Sequence, residues 1–300
     1  MLKMSKKLIV IQGPTGIGKT KVAILLAKRF ETEIISTDSR QFYKELLIGA
    51  APPSKKQLLE VKHHFIHNLS VNEDYNIGKF SNECEKKIYE LFKQRNKLIT
   101  VGGSGMYTET IANGLLDNIP DIDISFKKNI MSKYKTYGIK FLQEELEKHD
   151  KNYFNIVDKK NPHRLIRALE VFYATGNPFS SYRKKQKRKR NFTVLKIGLI
   201  DDRETLYNKL DSRVDSMFEK GLIDEVQKLL KYRNKNALKS VGYTEVINYL
   251  DNKISLEETI KLIKQNSRRL AKRQITWMKR NKDILYFNPK ELEKIYKAIE

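Results

Sequence analysis

A single cysteine, Cys84, stands in a chain of 300 residues. That excludes an internal disulfide and suits a reducing cytosol. Long apolar runs are missing too. None approaches the roughly 18–20 residues that a membrane-spanning helix needs. The early lysines are followed by only four consecutive apolar residues, Leu8–Ile11, too few for a signal-peptide core. Acidic side chains are the third shortage: 36 Asp and Glu face 59 Lys and Arg, a net charge of +23. The basic segments lack the Trp/Phe/Leu face that would rest in a membrane surface. The excess charge therefore favours a polyanionic partner, and nucleic acid over lipid. A cytoplasmic protein is expected, and a monomer, since no unexplained apolar stripe is visible. What is present suffices for a sizeable core: 40% of residues are hydrophobic and 10% aromatic, over a length that suits one large domain or two.

The most informative segment is Gly13, Pro14, Thr15, Gly16, Ile17, Gly18, Lys19 and Thr20. It follows the apolar run Leu8–Ile11 and leads into the amphipathic stretch Val22–Phe30. Strand, glycine-rich turn and helix thus come in the order that G-x-x-x-x-G-K-[ST] requires. Backbone N–H groups of such a loop, with the positive end of the next helix, make a nest for phosphate oxygens. Lys19 adds a point charge, and the Thr20 hydroxyl suits Mg²⁺. A di- or triphosphate ligand is expected.

Two further apolar runs end in turns, Ile34–Thr37 before Asp38–Gln41 and Leu98–Val101 before Gly102–Tyr107. A fourth, Val194–Ile200, reads as a late strand of the same sheet. Phe80, Cys84, Ile88 and Leu91 recur at helix spacing between Ile77 and Gln94. Alternating strands and helices predict an α/β fold with a doubly wound parallel sheet, whose ligands gather at the carboxyl ends of the strands. Strand signals are absent from Gly114 to Arg190. Residues 1–118 are therefore expected to begin the core, 119–192 to form a mostly helical insertion, and 193–300 to complete the core, helical from Glu204 to the end.

Asp38 is the notable carboxylate. At a strand end beside the phosphate loop it suits a metal ligand, a substrate-orienting group or a general base; as a plain N-cap, with Ser39 and Gln41 completing the pattern, it would be structural. Ser104 sits in a glycine cluster, Gly102–Gly105, that suits close backbone approach to a ligand or a simple strand-to-helix turn. Residues 259–282 hold nine Lys or Arg and no acid. Arg268/Lys272 and Arg269/Arg273 are like-charged i,i+4 pairs, each costing roughly 0.2–0.5 kcal/mol in an isolated helix. That suggests a partner supplying negative charge, with Ile275 and Trp277 packing the helix onto the core. The run Arg183–Arg190, seven basic residues in eight, reads equally as a phosphate clamp or a solvated linker. Arg213 reads as a phosphate clamp or a surface ion pair. His63, His64 and His67 are expected in hydrogen-bonding and core roles rather than on a metal.

Several blocks together resemble one known family, the tRNA dimethylallyltransferases (tRNA isopentenyltransferases). They are Gly13–Thr20, Ile34–Ser39, Ile48-Gly49, Val101–Ser104 through Tyr107, Asn161–Glu170, Val241–Tyr243 and Leu270–Trp277. The resemblance covers nearly the whole chain. It implies a P-loop NTPase-like core with a helical insertion that grips the anticodon stem-loop. It also implies transfer of a dimethylallyl group from dimethylallyl diphosphate to N6 of the adenosine 3′ of the anticodon. On that basis Asp38 is the general base, Ser104 its hydroxyl companion, and the phosphate loop with Lys19, Thr20, Arg213 and Mg²⁺ holds the diphosphate. Asp38, Ser39, Arg40, Gln41, Ser104, His163, Arg164, Leu165, Ile166, Arg167, Lys239, Gly242, Tyr243, Arg268, Arg269, Lys272, Arg273, Gln274 and Lys279 would meet tRNA. Two places depart from the family pattern. Ser104 replaces a more frequent threonine, and Ala50-Ala-Pro-Pro53 replaces Thr-Ala-Lys-Pro, so no role is assigned there.

The rival is a P-loop kinase or ATPase acting on RNA, with Asp201 after an apolar run as its magnesium carboxylate. A nucleotide-driven RNA-binding switch is the second. The transferase reading requires Asp38 to reach the cavity above Lys19, and that cavity to open on the cationic surface.

Overall fold

The computed structural model describes residues 6–114, 119–120, 122–183 and 190–300, so most of the basic run 183–190 lies outside the described residues. Six strands form one sheet: β1 (Lys7–Gln12), β2 (Ile34–Ser36), β3 (His63–His64), β4 (Lys97–Gly102), β5 (Thr193–Leu199) and β6 (Ile284–Phe287). They lie in the order β3-β2-β4-β1-β5-β6, and every pairing is parallel. Period-two alternation explains how β1 serves two faces. Leu8 and Val10 pack with Phe80, Cys84 and Ile88 of α3 (Ile77–Leu91), whereas Ile9 and Ile11 pack with Val22, Ala23 and Leu26 of α1 (Lys19–Arg29). A sheet buried on both faces by helices is the doubly wound α/β architecture. Burial of each such Ile or Leu contributes roughly 1.5–3 kcal/mol.

Between β2 and β3 lies α2 (Lys55–Glu60), and α4 (Gly105–Asn113) follows β4. The second half of the core carries α9 (Arg203–Glu219), α10 (Leu222–Lys228), α11 (Tyr243–Leu250), α12 (Leu256–Met278) and α13 (Leu292–Ile299). Register places Gln12 level with Gly102 on one side and Gly198 on the other, so the loops after β1 and β4 open at one edge. Gly102 is required there: a Cβ on it would stand 2.2 Å from Thr37 Oγ1.

One expectation is corrected. The chain after Glu204 is not helical throughout, because Ile284–Phe287 adds β6 beside β5. Four residues with only Ile284 buried are too few to show either periodicity; the ladder offered by β5 makes the strand. The two-residue β3 escaped notice similarly.

Residues 1–112 with 189–300 form one compact unit and residues 113–188 a second. The second contains α5 (Ile124–His149, broken at Gly138, φ 73°), α6 (Lys151–Phe154), α7 (Pro162–Thr175) and α8 (Phe179–Tyr182). Leu142, Leu146, Leu165, Ile166 and Leu169 form its core. Asn161 opens α7 by accepting from Arg164 N at 3.3 Å, with Pro162 in the first turn. No helix among the described residues is long and apolar enough to cross a membrane.

Candidate active site

The turn after β1 leads into α1, whose first turn holds no acid and whose N-cap, Gly18, has φ 98°. That helix end therefore presents its partial positive charge uncancelled. Lys19 Nζ donates to Pro14 O at 2.8 Å. Burial drives the Lys19 pKa down to about 8; the Asp38 carboxylate opposes the fall, and the Arg213 guanidinium adds to it. Arg213 is also held below its ordinary value by burial, against the pull of Asp38, and its Nη1 lies 3.4 Å from Thr15 Oγ1. Of the two roles open to Arg213, the structure brings it to the phosphate loop.

No helix follows Asp38, and residues 39–42 run as turns into a bridge at Tyr43, so the plain N-cap role is excluded. Its Oδ1 accepts instead from Arg40 N at 3.2 Å. Ser104 Oγ accepts from Ser39 N at 3.1 Å and bonds Ser39 Oγ at 3.0 Å. Thr37 N donates to Val101 O at 2.8 Å, and the Thr37 and Thr108 hydroxyls meet at 3.0 Å. The turns after β2 and β4 are thereby stitched together, with Asp38 and Ser104 in one wall.

That wall belongs to a cavity of about 770 Å³. Thr15, Asp38, Gly103 and Ser104 line it from the strand ends, and Leu210, Arg213, Val214 and Met217 from α9. Lys239–Glu245 close a third side; α12 supplies Ile263, Arg269, Leu270, Arg273, Gln274 and Trp277. Asp38 thus lines the cavity, as do Arg269 and Arg273 of α12; Lys19 and Thr20 are not in the lining, although Lys19 Nζ lies 3.4 Å from where a Cβ on the lining residue Gly103 would stand.

Other predicted residues fall into distinct places. Gln274 accepts from Thr15 N at 2.8 Å and donates to Gly103 O at 2.8 Å, tying the phosphate loop to the glycine turn. Arg40 donates to the carbonyls of Asn236, Ala237 and Lys239 at 2.6, 3.2 and 3.3 Å. Gln41 Nε2 donates to Ala51 O at 3.2 Å. The Tyr243 hydroxyl donates to Glu225 at 2.7 Å, and burial beside that carboxylate pushes its pKa up. Gly242 N donates to Glu245 at 2.8 Å. Lys272, Arg273, Lys279, His163, Arg164 and Arg167 are exposed.

Two expectations need correction. The cations of α12 do not all await an outside partner, since α9 supplies two acids: Arg268 pairs with Asp211 at 2.7 Å and Lys264 with Asp215 at 2.6 Å. Arg268 is therefore held in an ion pair outside the cavity lining. Leu165 and Ile166 are buried in the core of their own unit, so their side chains are closed to RNA. Trp277 packs against Gly105 of the core as expected, and it lines the cavity as well.

Asp201, the carboxylate a kinase would need, accepts from Lys209 at 2.9 Å, Asn288 Nδ2 at 2.8 Å and Asp202 N at 3.0 Å, and does not line the cavity. His63 Nδ1 lies 2.8 Å from Val61 O, and His64 Nε2 2.6 Å from Glu33. Sequence reasoning missed Glu225, which gathers the N–H groups of Leu47, Ile48 and Gly49 at 2.8, 2.7 and 3.1 Å. No local signal marks it. Nor were Leu210, Val214, Met217 and Leu270 singled out as lining, because their helical spacing reads the same whether they face core or ligand.

A parallel sheet with a phosphate loop at its first strand end defines a P-loop-like α/β protein. The family model described as IPP transferase matches residues 41–281, and the chain belongs to that family. It is 44% identical to the tRNA dimethylallyltransferase of Christiangramia forsetii over 99% of this chain and 98% of that one. Among solved structures it resembles the full-length tRNA isopentenylpyrophosphate transferase from Bacillus halodurans (TM-score 0.72, 33% identity, covering 98% of this chain and 95% of that one). It also resembles a eukaryotic dimethylallyltransferase acting on tRNA (TM-score 0.80, 28% identity, covering 97% and 75%).

Proposed function

We propose that this chain transfers the dimethylallyl group of dimethylallyl diphosphate to N6 of the adenosine 3′ of the anticodon, in tRNAs that read codons beginning with U, and releases diphosphate. The observation that carries the reading is one cavity lined by the phosphate loop's Thr15, by Arg213, and by the joined pair Asp38 and Ser104. The relatives' names, tRNA dimethylallyltransferase, support it.

The chemistry suits these parts. As the allylic C–O bond breaks, the carbon fragment spreads its positive charge while negative charge grows on the departing diphosphate. Loop N–H groups, Lys19 and Arg213 are cationic or dipolar partners for that growing charge, so they act mainly in the transition state. The adenine amine is a weak nucleophile, its lone pair delocalised into the ring. N6 attacks the terminal allylic carbon, and its proton passes to the Asp38 carboxylate, an effect worth typically 10²–10⁴-fold. Ser104 holds Ser39 and with it the turn that carries Asp38.

Among the described residues no three His, Cys, Asp or Glu side chains gather as a metal site. A Mg²⁺ ion here would therefore rest on the Thr20 hydroxyl, diphosphate oxygens and water, the mixed donor set this ion favours. Bound so, it would neutralise part of the leaving group's charge. The exposed His163, Arg164 and Arg167 of the helical insertion, with Arg269, Lys272 and Arg273 of α12 and Lys279 just after it, are assigned to the phosphates of the anticodon stem-loop. A monomer working in the cytoplasm, where tRNA is abundant, fits this role.

The test is incubation with labelled dimethylallyl diphosphate, Mg²⁺ and an anticodon stem-loop with an A-rich loop, followed by nucleoside analysis. Label is expected on adenosine, with one diphosphate released per transfer. Phosphate release without labelled RNA would sink the reading.

A further inference from the structure

Trp277 is the chain's single tryptophan, and it is 37% exposed in the cavity wall. The pyrrole half of its indole lies against Gly105: a Cβ on that glycine would stand 2.5 Å from Trp277 Cδ1 and 2.7 Å from Nε1. Gly105 opens α4 directly after Ser104, the residue that holds Ser39 beside Asp38. The indole thus packs on the residue after Ser104, and Ser104 in turn bonds the residue after Asp38. Met106, 58% exposed, lines the same cavity one residue on.

The opposite part of the lining has different chemistry. Gln274 marks the phosphate loop along α12. From it Trp277 lies about 4.5 Å toward the C-terminal end of the helix, and Leu270 about 6 Å the other way, at a rise of about 1.5 Å per residue. Ile263 continues on the Leu270 side, facing the same cavity as Val214 and Met217 of α9. Branched and thioether side chains there suit a short hydrocarbon. An indole in the same lining as Asp38 suits a flat aromatic ligand, which gains from stacking as well as from area.

We infer that Trp277 and Met106 form a stacking subsite for the purine base that enters the cavity, which holds the base's exocyclic amine toward Asp38. This rests on the proposed reaction, since it is the acceptor base that must leave its stack. The subsite offsets the lost stacking with a new ring partner. Arg280, 5.9 Å from the indole centroid, adds a cation–π contact that steadies the ring. Gly105 becomes a positioning residue, because any side chain there displaces the indole.

The intact wild-type chain carries its own reporter, as its tryptophan fluorescence comes from Trp277 alone. It is titrated without donor against an anticodon stem-loop with adenosine at the acceptor position, and against the same stem-loop made abasic there. Adenosine is expected to quench the emission. The abasic stem-loop, still bound through its phosphates, leaves the emission unchanged, as does dimethylallyl diphosphate alone. Equal quenching by both stem-loops, or quenching by the donor alone, overturns the subsite.

Steady-state kinetics give a second arm. Trp277→Leu is expected to raise the KM for the stem-loop by about 5- to 100-fold, leave the KM for the donor unmoved, and recover largely in Trp277→Phe. A parallel rise in both KM values, or an unchanged stem-loop KM, overturns it. Transfer by the wild-type enzyme without an adenine-dependent quench sinks the subsite and leaves the reaction standing; the quench without transfer does the reverse.

Discussion

Asp38 holds its own turn through Oδ1 and lines the cavity as well, so a substitution can separate the two roles. Asp38→Asn keeps the acceptor for Arg40 N and removes the basicity. Single-turnover rates are expected to fall by roughly 10²–10⁴-fold, with stem-loop affinity nearly intact in an equilibrium binding assay. Equal losses in both would refute the base. Lys19 makes a second prediction. Its protonated form holds the diphosphate, and burial sets its pKa at about 8, so the charge is present at pH 7 and is lost as pH climbs through 8. kcat/KM for the donor should therefore decline above about pH 8 in a pH–rate profile. Lys19→Arg should move that limb out of the measurable range, and a limb that stays in place would exclude Lys19 as its source. At this scale the phosphate loop was legible because its backbone geometry demands those residue types in sequence. Asp38 was legible from its place at a strand end. Gln274 was not, since its amide serves a partner 259 positions away, and nothing local encodes that.

Helix α12 shows how far an element's composition can be read. Its run of cations without acids was plain, yet two of the partners lie on α9, where Asp211 and Asp215 take Arg268 and Lys264. The two neighbours Arg268 and Arg269 should therefore respond differently. Arg268→Ala is expected to cost stability, about 1 kcal/mol for a half-exposed pair, because it leaves Asp211 with its Oδ1 already buried and without a partner. Thermal unfolding measures that, while stem-loop affinity stays close to wild type. Arg269→Ala and Arg273→Ala should do the opposite, each weakening stem-loop binding and reducing its salt slope by about 1. If Arg268→Ala proves as damaging to binding as Arg269→Ala, the division is wrong. Helix α7 was legible at its start, where Asn161 and Pro162 supply a cap and a first-turn proline. Strand β6 was illegible, since its identity resides in the β5 ladder beside it.

Across the whole molecule the net charge of +23 sets the conditions under which all else is measured. Stem-loop affinity is expected to fall by roughly 10²- to 10³-fold between 50 and 200 mM salt, as phosphate contacts release counterions. Donor KM should move less, because Lys19 and Arg213 are shielded from the ionic atmosphere by burial. Binding that ignores salt would refute a phosphate-led interface. The two-sided sheet was legible in the apolar runs of β1 and β4, which are buried on both faces. How the chain leaves and rejoins that sheet was not. Arg190 Nη1 bonds the carbonyls of Ile111 and Ala112, the latter at 2.9 Å, just where the chain departs from the core and where it returns. A segment that begins and finishes at one such neck can lengthen, shrink or be traded for another without shifting the strands, so evolution, or an engineer, can retune what that segment holds while the reacting centre stays as it was.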